Sequence, residues 1–245
     1  MFKLSSWGDY LIRIFGLTSR IVLPLSLVFQ VFGGESSRIV GLAWLGGKDN
    51  IVRLSEKKSI KEMLEEYKDV LRCGGSDRIV GYCSTREFEQ PYISCTHDFV
   101  VAGSTDDFMT PNPKLIGFLK GRGHNIVDES STEMITHLLC EFRKMGYTLN
   151  DSLKLLFSIF YKKPLGMLLY MDSKNLIYYN DYDDTYIGFD KDIRVVIVTN
   201  SKPGIELFRY WLEGVKKIKI DTFKLKSGLF KIRTSDKIIK LVSTS

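Results

Sequence analysis

The sequence predicts a mixed α and β fold, and two observations carry that prediction. Short apolar runs closed by turn residues recur along the chain, among them Ile79–Cys83, Phe99–Ala102 and Arg194–Thr199. Runs of this length, rich in β-branched residues, are the mark of buried strands. Between them lie apolar stripes at helical spacing. Ser59–Leu71 places Ile60, Met63, Leu64, Tyr67 and Leu71 on one face with charges opposite.

Taken in order, Tyr10–Phe15 reads as the first strand. Thr18 or Ser19 then caps a helix whose early part contains Pro24. Basic residues ahead of the apolar run Ile21–Phe32 give it the outline of a leader peptide. The run is shorter than the roughly twenty residues a membrane span needs, and Pro24 and Gln30 interrupt it. Ser36–Trp44 and Ile51–Leu54 form a hairpin around Gly46–Asn50. Cys73–Ser76 stops the Ser59–Leu71 helix.

Leu115, Ile116, Phe118 and Leu119 form a helical stripe that Gly121 and Gly123 break. Ile126-Val127 restarts as a strand, and Ser130–Glu133 opens the helix Thr132–Lys144 in the manner of a capping box. Thr148 or Asn150 caps a helix over Asn150–Phe160. Leu165–Met171 and Asn175–Tyr179 form a hairpin around Asp172-Ser173. Pro203–Val215 is a short helix, and Phe223–Leu225, Leu229–Arg233 and Lys237–Val242 are terminal strands. No repeat, linker or low-complexity tract divides the chain, so residues 1–245 read as one domain.

At 245 residues, with 44% hydrophobic and 26% charged content, the chain has the composition of a folded globular protein. The net charge of +6 is spread, with a denser basic run over Lys216–Lys240. That distribution signals nucleic-acid or membrane-surface binding only weakly, so neither nucleic acid nor a membrane is an expected partner. Cys73, Cys83, Cys95 and Cys140 show no C-x-x-C spacing and no paired-histidine motif. They are expected to be reduced thiols of a cytoplasmic protein, neither a disulfide framework nor zinc ligands. The acidic pair Asp106-Asp107 and the loop Asp181–Asp184 lack metal-loop spacing. The expectation is therefore no metal and no cofactor.

The stretch Arg78–Glu141 carries a resemblance. Ser84-Thr85-Arg86-Glu87, Gln90-Pro91-Tyr92 and Ala102-Gly103-Ser104-Thr105 are followed by Leu119-Lys120-Gly121-Arg122-Gly123 and by Glu129–Leu138 (ESSTEMITHL). This succession resembles the class II, N-terminal-nucleophile (Ntn) glutamine amidotransferases. Their glutaminase domain, as in glucosamine-fructose-phosphate aminotransferase, runs H-T-R-W-A-T, N-A-H-P, V-H-N-G, K-x-R-G and E-T-D-T-E-x-I-A-H-L. Gly41-Leu42-Ala43 also preserves the end of an earlier family segment. The resemblance implies an α+β fold, a four-layer αββα sandwich of two mainly antiparallel sheets.

The segments that match build the scaffold, whereas those that carry chemistry have changed. The family attacks glutamine with a cysteine at the exposed end of the first strand, activated by that residue's own α-amine. Here the chain starts Met1-Phe2-Lys3-Leu4, and Phe2 disfavours removal of Met1. If the first strand is Tyr10–Phe15, the matching position is near Asp9 or Tyr10. Neither alignment offers a cysteine, and Ser5 or Ser6 could become N-terminal only by self-cleavage. The family's oxyanion asparagine and glycine match Ser104 and Thr105. Arg86 matches the arginine that pairs with the substrate carboxylate, but Glu87 and Glu89 lie beside it. The aspartate that holds the substrate ammonium is replaced by Ser131.

The resemblance thus implies a catalytically inactive relative, with Arg86, Ser104, Thr105 and Ser131 as a remnant pocket and no catalytic residue. Such a chain would bind a protein partner or a small amino-acid-like ligand. The alternative is an active amidotransferase or amidohydrolase with a rearranged site, using Cys83 or Cys95. It would supply ammonia to a separate acceptor subunit, since 245 residues leave no room for an acceptor domain. A third reading, a basic nucleic-acid module, rests on the pI of about 9.0 alone.

Overall fold

The structure is a computed structural model that describes residues 12–32, 37–46, 50–85, 88–104, 112–160, 166–180, 185–192, 194–235 and 238–243. Two antiparallel sheets face one another. The first holds β1 (Arg13–Pro24), β2 (Ile39–Leu45), β3 (Ile51–Glu56), β4 (Gly75–Ser84), β9 (Thr185–Asp190), β10 (Val195–Thr199) and β11 (Ile220–Leu225), in the order β11-β9-β10-β1-β4-β2-β3. The second holds β5 (Tyr92–Ile93), β6 (Phe99–Gly103), β7 (Met167–Asp172), β8 (Asn175–Asn180), β12 (Gly228–Ser235) and β13 (Ile238–Ser243), in the order β13-β12-β8-β7-β6-β5.

Three apolar layers hold the four structural layers together. Between the sheets, Ile14, Val80 and Tyr82 meet Val100, Leu169 and Tyr178. The approach is close at Gly16, where a Cβ would come within 2.9 Å of a Leu169 methyl. Outside the first sheet lie α1 (Leu25–Phe32), α2 (Ile60–Glu66), α3 (Lys68–Cys73) and α7 (Lys202–Trp211), the last continued by a π turn, Leu212–Lys216. Phe29, Phe32, Met63, Leu71, Ile205 and Phe208 bury that face. Outside the second sheet lie α4 (Pro113–Gly121), α5 (Ser131–Lys144) and α6 (Leu149–Phe160), packed through Leu119, Ile135, Leu139 and Leu156. Strand alternation sends one set of side chains inward and the other toward the helices, so each sheet is apolar on both faces. The four-layer αββα architecture expected of the chain is the one observed.

Several local expectations are corrected. Strand β1 runs on to Pro24, Tyr10 and Leu11 of the expected strand lie outside the described residues, and no helix starts at Thr18 or Ser19, which pair with Val196 and Val195. The β-branched Ile21-Val22 prolongs the strand, and Pro24 ends it, its missing N–H and fixed φ suiting the residue before a helix. Ser59–Leu71 is two helices, interrupted at Tyr67 (φ −101°, ψ 25°), whose hydroxyl donates to Glu56 at 2.9 Å. Ile126-Val127 forms no strand, because its backbone is held by a side chain described below. Strand β9 was not anticipated. The three expected terminal strands divide between the sheets: β11 pairs with β9, whereas β12 pairs with β8.

Candidate functional site

The end of β6 abuts the first turn of α5, and the residues around that junction converge. A Cβ on Gly103 would lie 3.0 Å from the Thr132 hydroxyl. Ser130 caps α5 by accepting the Glu133 N–H at 3.1 Å. The Glu133 carboxylate does not return to the cap residue in a reciprocal box. It accepts the N–H groups of Val127 at 2.7 Å and Asp128 at 2.9 Å. This consumes the donors that a strand at Ile126-Val127 would have used. Burial raises the Glu133 pKa, and those backbone donors oppose the rise.

A chain of hydroxyls continues from the cap. Ser130 Oγ donates to the Tyr92 hydroxyl at 2.8 Å, which donates to Asp128 Oδ2 at 2.9 Å; the Glu89 N–H reaches the same oxygen at 3.2 Å. Burial drives the Tyr92 pKa upward, so its hydroxyl stays a donor.

Segment 88–92 is clamped to the first sheet. Arg53 donates from Nη2 to the Glu89 carbonyl at 2.6 Å and from Nε to the Pro91 carbonyl at 2.5 Å, and Ser55 Oγ donates to the Gln90 carbonyl at 2.9 Å. The fully buried Gln90 side chain crosses to the second sheet, where its Oε1 accepts the Gly103 N–H at 2.7 Å. These contacts leave an open cleft of about 330 Å³, walled by Arg53, Lys57, Glu89, Tyr92, Asp128 and His137 among others. That volume lies at the small end of the range for ligand sites.

The positions singled out in the sequence fare differently. Ser104 ends the β6 ladder: its N–H donates to the Met167 carbonyl at 2.9 Å, and its Oγ accepts the Met167 N–H at 3.3 Å. Ser131 is fully buried as the first residue of α5. Arg86, Glu87, Thr105, Asp106-Asp107 and Asp181–Asp184 lie outside the described residues. Cys83 packs among the helix-side core residues of the first sheet, and burial pushes its thiol up to about 12. The cleft's Arg53, Tyr92 and Asp128 were not foreseen as site residues. The Gln90-Pro91-Tyr92 segment and the S-S-T-E cap at Ser130–Glu133 pointed to that neighbourhood.

No family model matches the chain, and no curated protein sequence matches it. Solved structures do. Over 94% of its length the chain superposes on the glutamine phosphoribosylpyrophosphate amidotransferase from B. subtilis, with a TM-score of 0.67 and 16% identity, covering 49% of that protein. It is similar at a TM-score of 0.69 and 16% identity to a structure described as the allosteric regulatory enzyme of purine biosynthesis, covering 48% of it. A glutamine aminotransferase class-II domain protein from Silicibacter pomeroyi matches at a TM-score of 0.56 and 10% identity, with 97% of that chain covered. The chain thus spans about half the length of the first two structures.

Proposed function

Starting from a chain with the fold of the class II, Ntn-type glutamine amidotransferases, we propose that it is a catalytically inactive relative that works by binding. The carrying observation is the residue sequence that leads into β1. Residues 1–12 contain no cysteine, and the first in the chain is Cys73. In the resembling family the nucleophile stands at the head of this strand.

The settings of Cys83 and Cys95 support this reading. Cys83 is held protonated by burial and faces the helices. Cys95 lies before β6, at the opposite end of that strand from Ser104. Five strand residues separate the two ends by roughly 17 Å. The Ser104 N–H is spent on the Met167 carbonyl, which supports the loss of a backbone oxyanion donor there. Ser131 offers no charge to a substrate ammonium group.

In this reading Arg86, Ser104, Thr105 and Ser131 are what remains, by resemblance, of the family's ligand-binding positions. The cleft between Arg53 and Asp128 supplies the binding surface for a small polar ligand. The deciding assay measures glutamate and ammonia released from glutamine by the wild type and by a Cys83→Ala, Cys95→Ala double variant. No release from either supports the proposal. Release that disappears in the double variant establishes the rearranged-site amidotransferase instead.

A further inference from the structure

Four side chains from three separate segments meet beside α5. Cys95 lies in the loop between β5 and β6, His124 follows α4, and His137 and Cys140 stand one turn apart on α5. Sulfur and nitrogen atoms of Cys95, His124 and Cys140 all lie within 4.8 Å of one another. The Nδ1 of His137 completes the set, 3.4 Å from Cys95 Sγ and 3.0 Å from His124 Nδ1. Cys95 Sγ is itself 3.0 Å from His124 Nδ1.

We propose that Cys95, His124, His137 and Cys140 form a structural zinc site. Zinc takes two thiolates and two imidazoles in a tetrahedron, with Zn–N near ~2.0 Å and Zn–S near ~2.3 Å, which sets ligand atoms about 3.3–3.8 Å apart. Cys95, His124 and Cys140 need only small side-chain movements to meet that geometry, and His137, already beside Cys95 and His124, would have to turn toward Cys140. Two thiolates neutralise the dication, so the complex fits the buried setting of His124 and Cys140.

The surroundings also fix the imidazole tautomer. His124 Nε2 lies 2.7 Å from Oε1 of Glu141, a carboxylate that can only accept. The proton is therefore on Nε2, and the Nδ1 lone pair faces the cluster. A carboxylate that orients a ligating histidine in this way is the usual outer partner of a zinc ligand. Glu141 is in turn held by Arg122 at 2.9 Å and Lys144 at 3.0 Å. Two imidazole nitrogens facing each other at 3.0 Å beside two sulfurs are a donor set that a soft cation unites. A thiol–imidazole–carboxylate nucleophile would use Cys95, His124 and Glu141 but leave His137 and Cys140 without a role.

With four protein ligands the site has no open position, which is the mark of a structural rather than a catalytic zinc. It would pin the β5–β6 loop and the α4–α5 connection to α5. The inference does not depend on whether glutamine is hydrolysed.

The test uses the reduced full chain, stripped with a chelator and titrated with zinc, and with cobalt(II) as a visible reporter. Zinc should bind with a stoichiometry of one and raise the melting temperature. Cobalt should show a thiolate charge-transfer band and the intense visible bands of a tetrahedral ion. Cys95→Ser, on the exposed loop, should keep the circular dichroism of the wild type and lose the charge-transfer intensity of one thiolate. Glu141→Gln should weaken zinc roughly 10–100-fold. The proposal is overturned if cobalt gives only the weak spectrum of a six-coordinate ion, or if Cys95→Ser binds zinc like the wild type. Alkylation of Cys95 that zinc does not slow would also overturn it and mark a reactive thiol.

Discussion

Gly41 lies directly beneath the carbonyl of Gln90: a Cβ built on Gly41 would fall 1.6 Å from that oxygen and 2.7 Å from its carbon. Strand β2 and the clamped segment 88–91 can approach this closely only because residue 41 has no side chain. Gly41→Ala is therefore expected to destabilise the protein by about 3 kcal/mol, since backbone must move to admit the methyl. A urea midpoint within error of the wild type would contradict this contact.

The fully buried Asp190 gives a pH dependence with a definite sign. Burial pushes its pKa up, but Arg194 Nε at 2.7 Å and the N–H groups of Arg194 and Val195 pull it below the ordinary carboxylate value. A carboxylate whose folded pKa is depressed contributes stability that is fully present above its unfolded value, about 3.9, and is lost as pH falls through the folded value. Asp190→Asn should cost on the order of 1–2 kcal/mol at neutral pH. The deficit should shrink below about pH 4. Chemical denaturation at neutral and acid pH measures both, and a pH-independent deficit would refute the charge assignment.

Removal of the Glu133 carboxylate strands two backbone donors. Glu133→Ala leaves the N–H groups of Val127 and Asp128 without their acceptor, at a cost of about 2–4 kcal/mol. Faster amide hydrogen exchange at those two residues, against an unchanged rate within β10, is the expected signature.

Tyr92→Phe breaks the hydroxyl chain while keeping the ring. Ser130 Oγ loses its acceptor and Asp128 a donor, which should lower stability by about 1–2 kcal/mol. Thermal unfolding that matches the wild type would show the chain to be energetically idle.

Glutamine or glutamate, titrated by calorimetry, should bind no more tightly than about millimolar. Ser131 cannot replace a carboxylate against an ammonium group. A micromolar constant would require another anionic partner and would revive the remnant pocket as a working site.

Much of the scaffold was legible in the residues. Ser130 and Ser59 mark helix starts because a short hydroxyl satisfies an orphan N–H, and both do so here. Asp172-Ser173 turned the β7–β8 hairpin as its residues suggest. What escaped was set at a distance. Pro24 looks like a helix residue until the pairing of β1 with β4, where it meets Gly75, is known. Strand β9, with Gly188 in its middle and an acidic run before it, carries only a weak β signal. The cysteine–histidine cluster draws on residues up to 45 positions apart, and its only local sign is His137-x-x-Cys140 on one helical face. Spacing rules written for short metal loops do not see ligands assembled by tertiary folding.

The place of β1 also governs how the chain reaches its native state. This strand lies between β4 and β10, and Phe15 pairs with Thr199, with Asn200 Oδ1 accepting the Ile14 N–H across 186 positions. On the ribosome β1 must therefore wait, with one edge unfilled, until the chain has been made as far as Val195–Thr199. Long-range closure of this kind slows folding and exposes an apolar edge in the meantime. Nascent-chain truncations that end before β10 should accordingly be more prone to chaperone capture and aggregation than those that end after it.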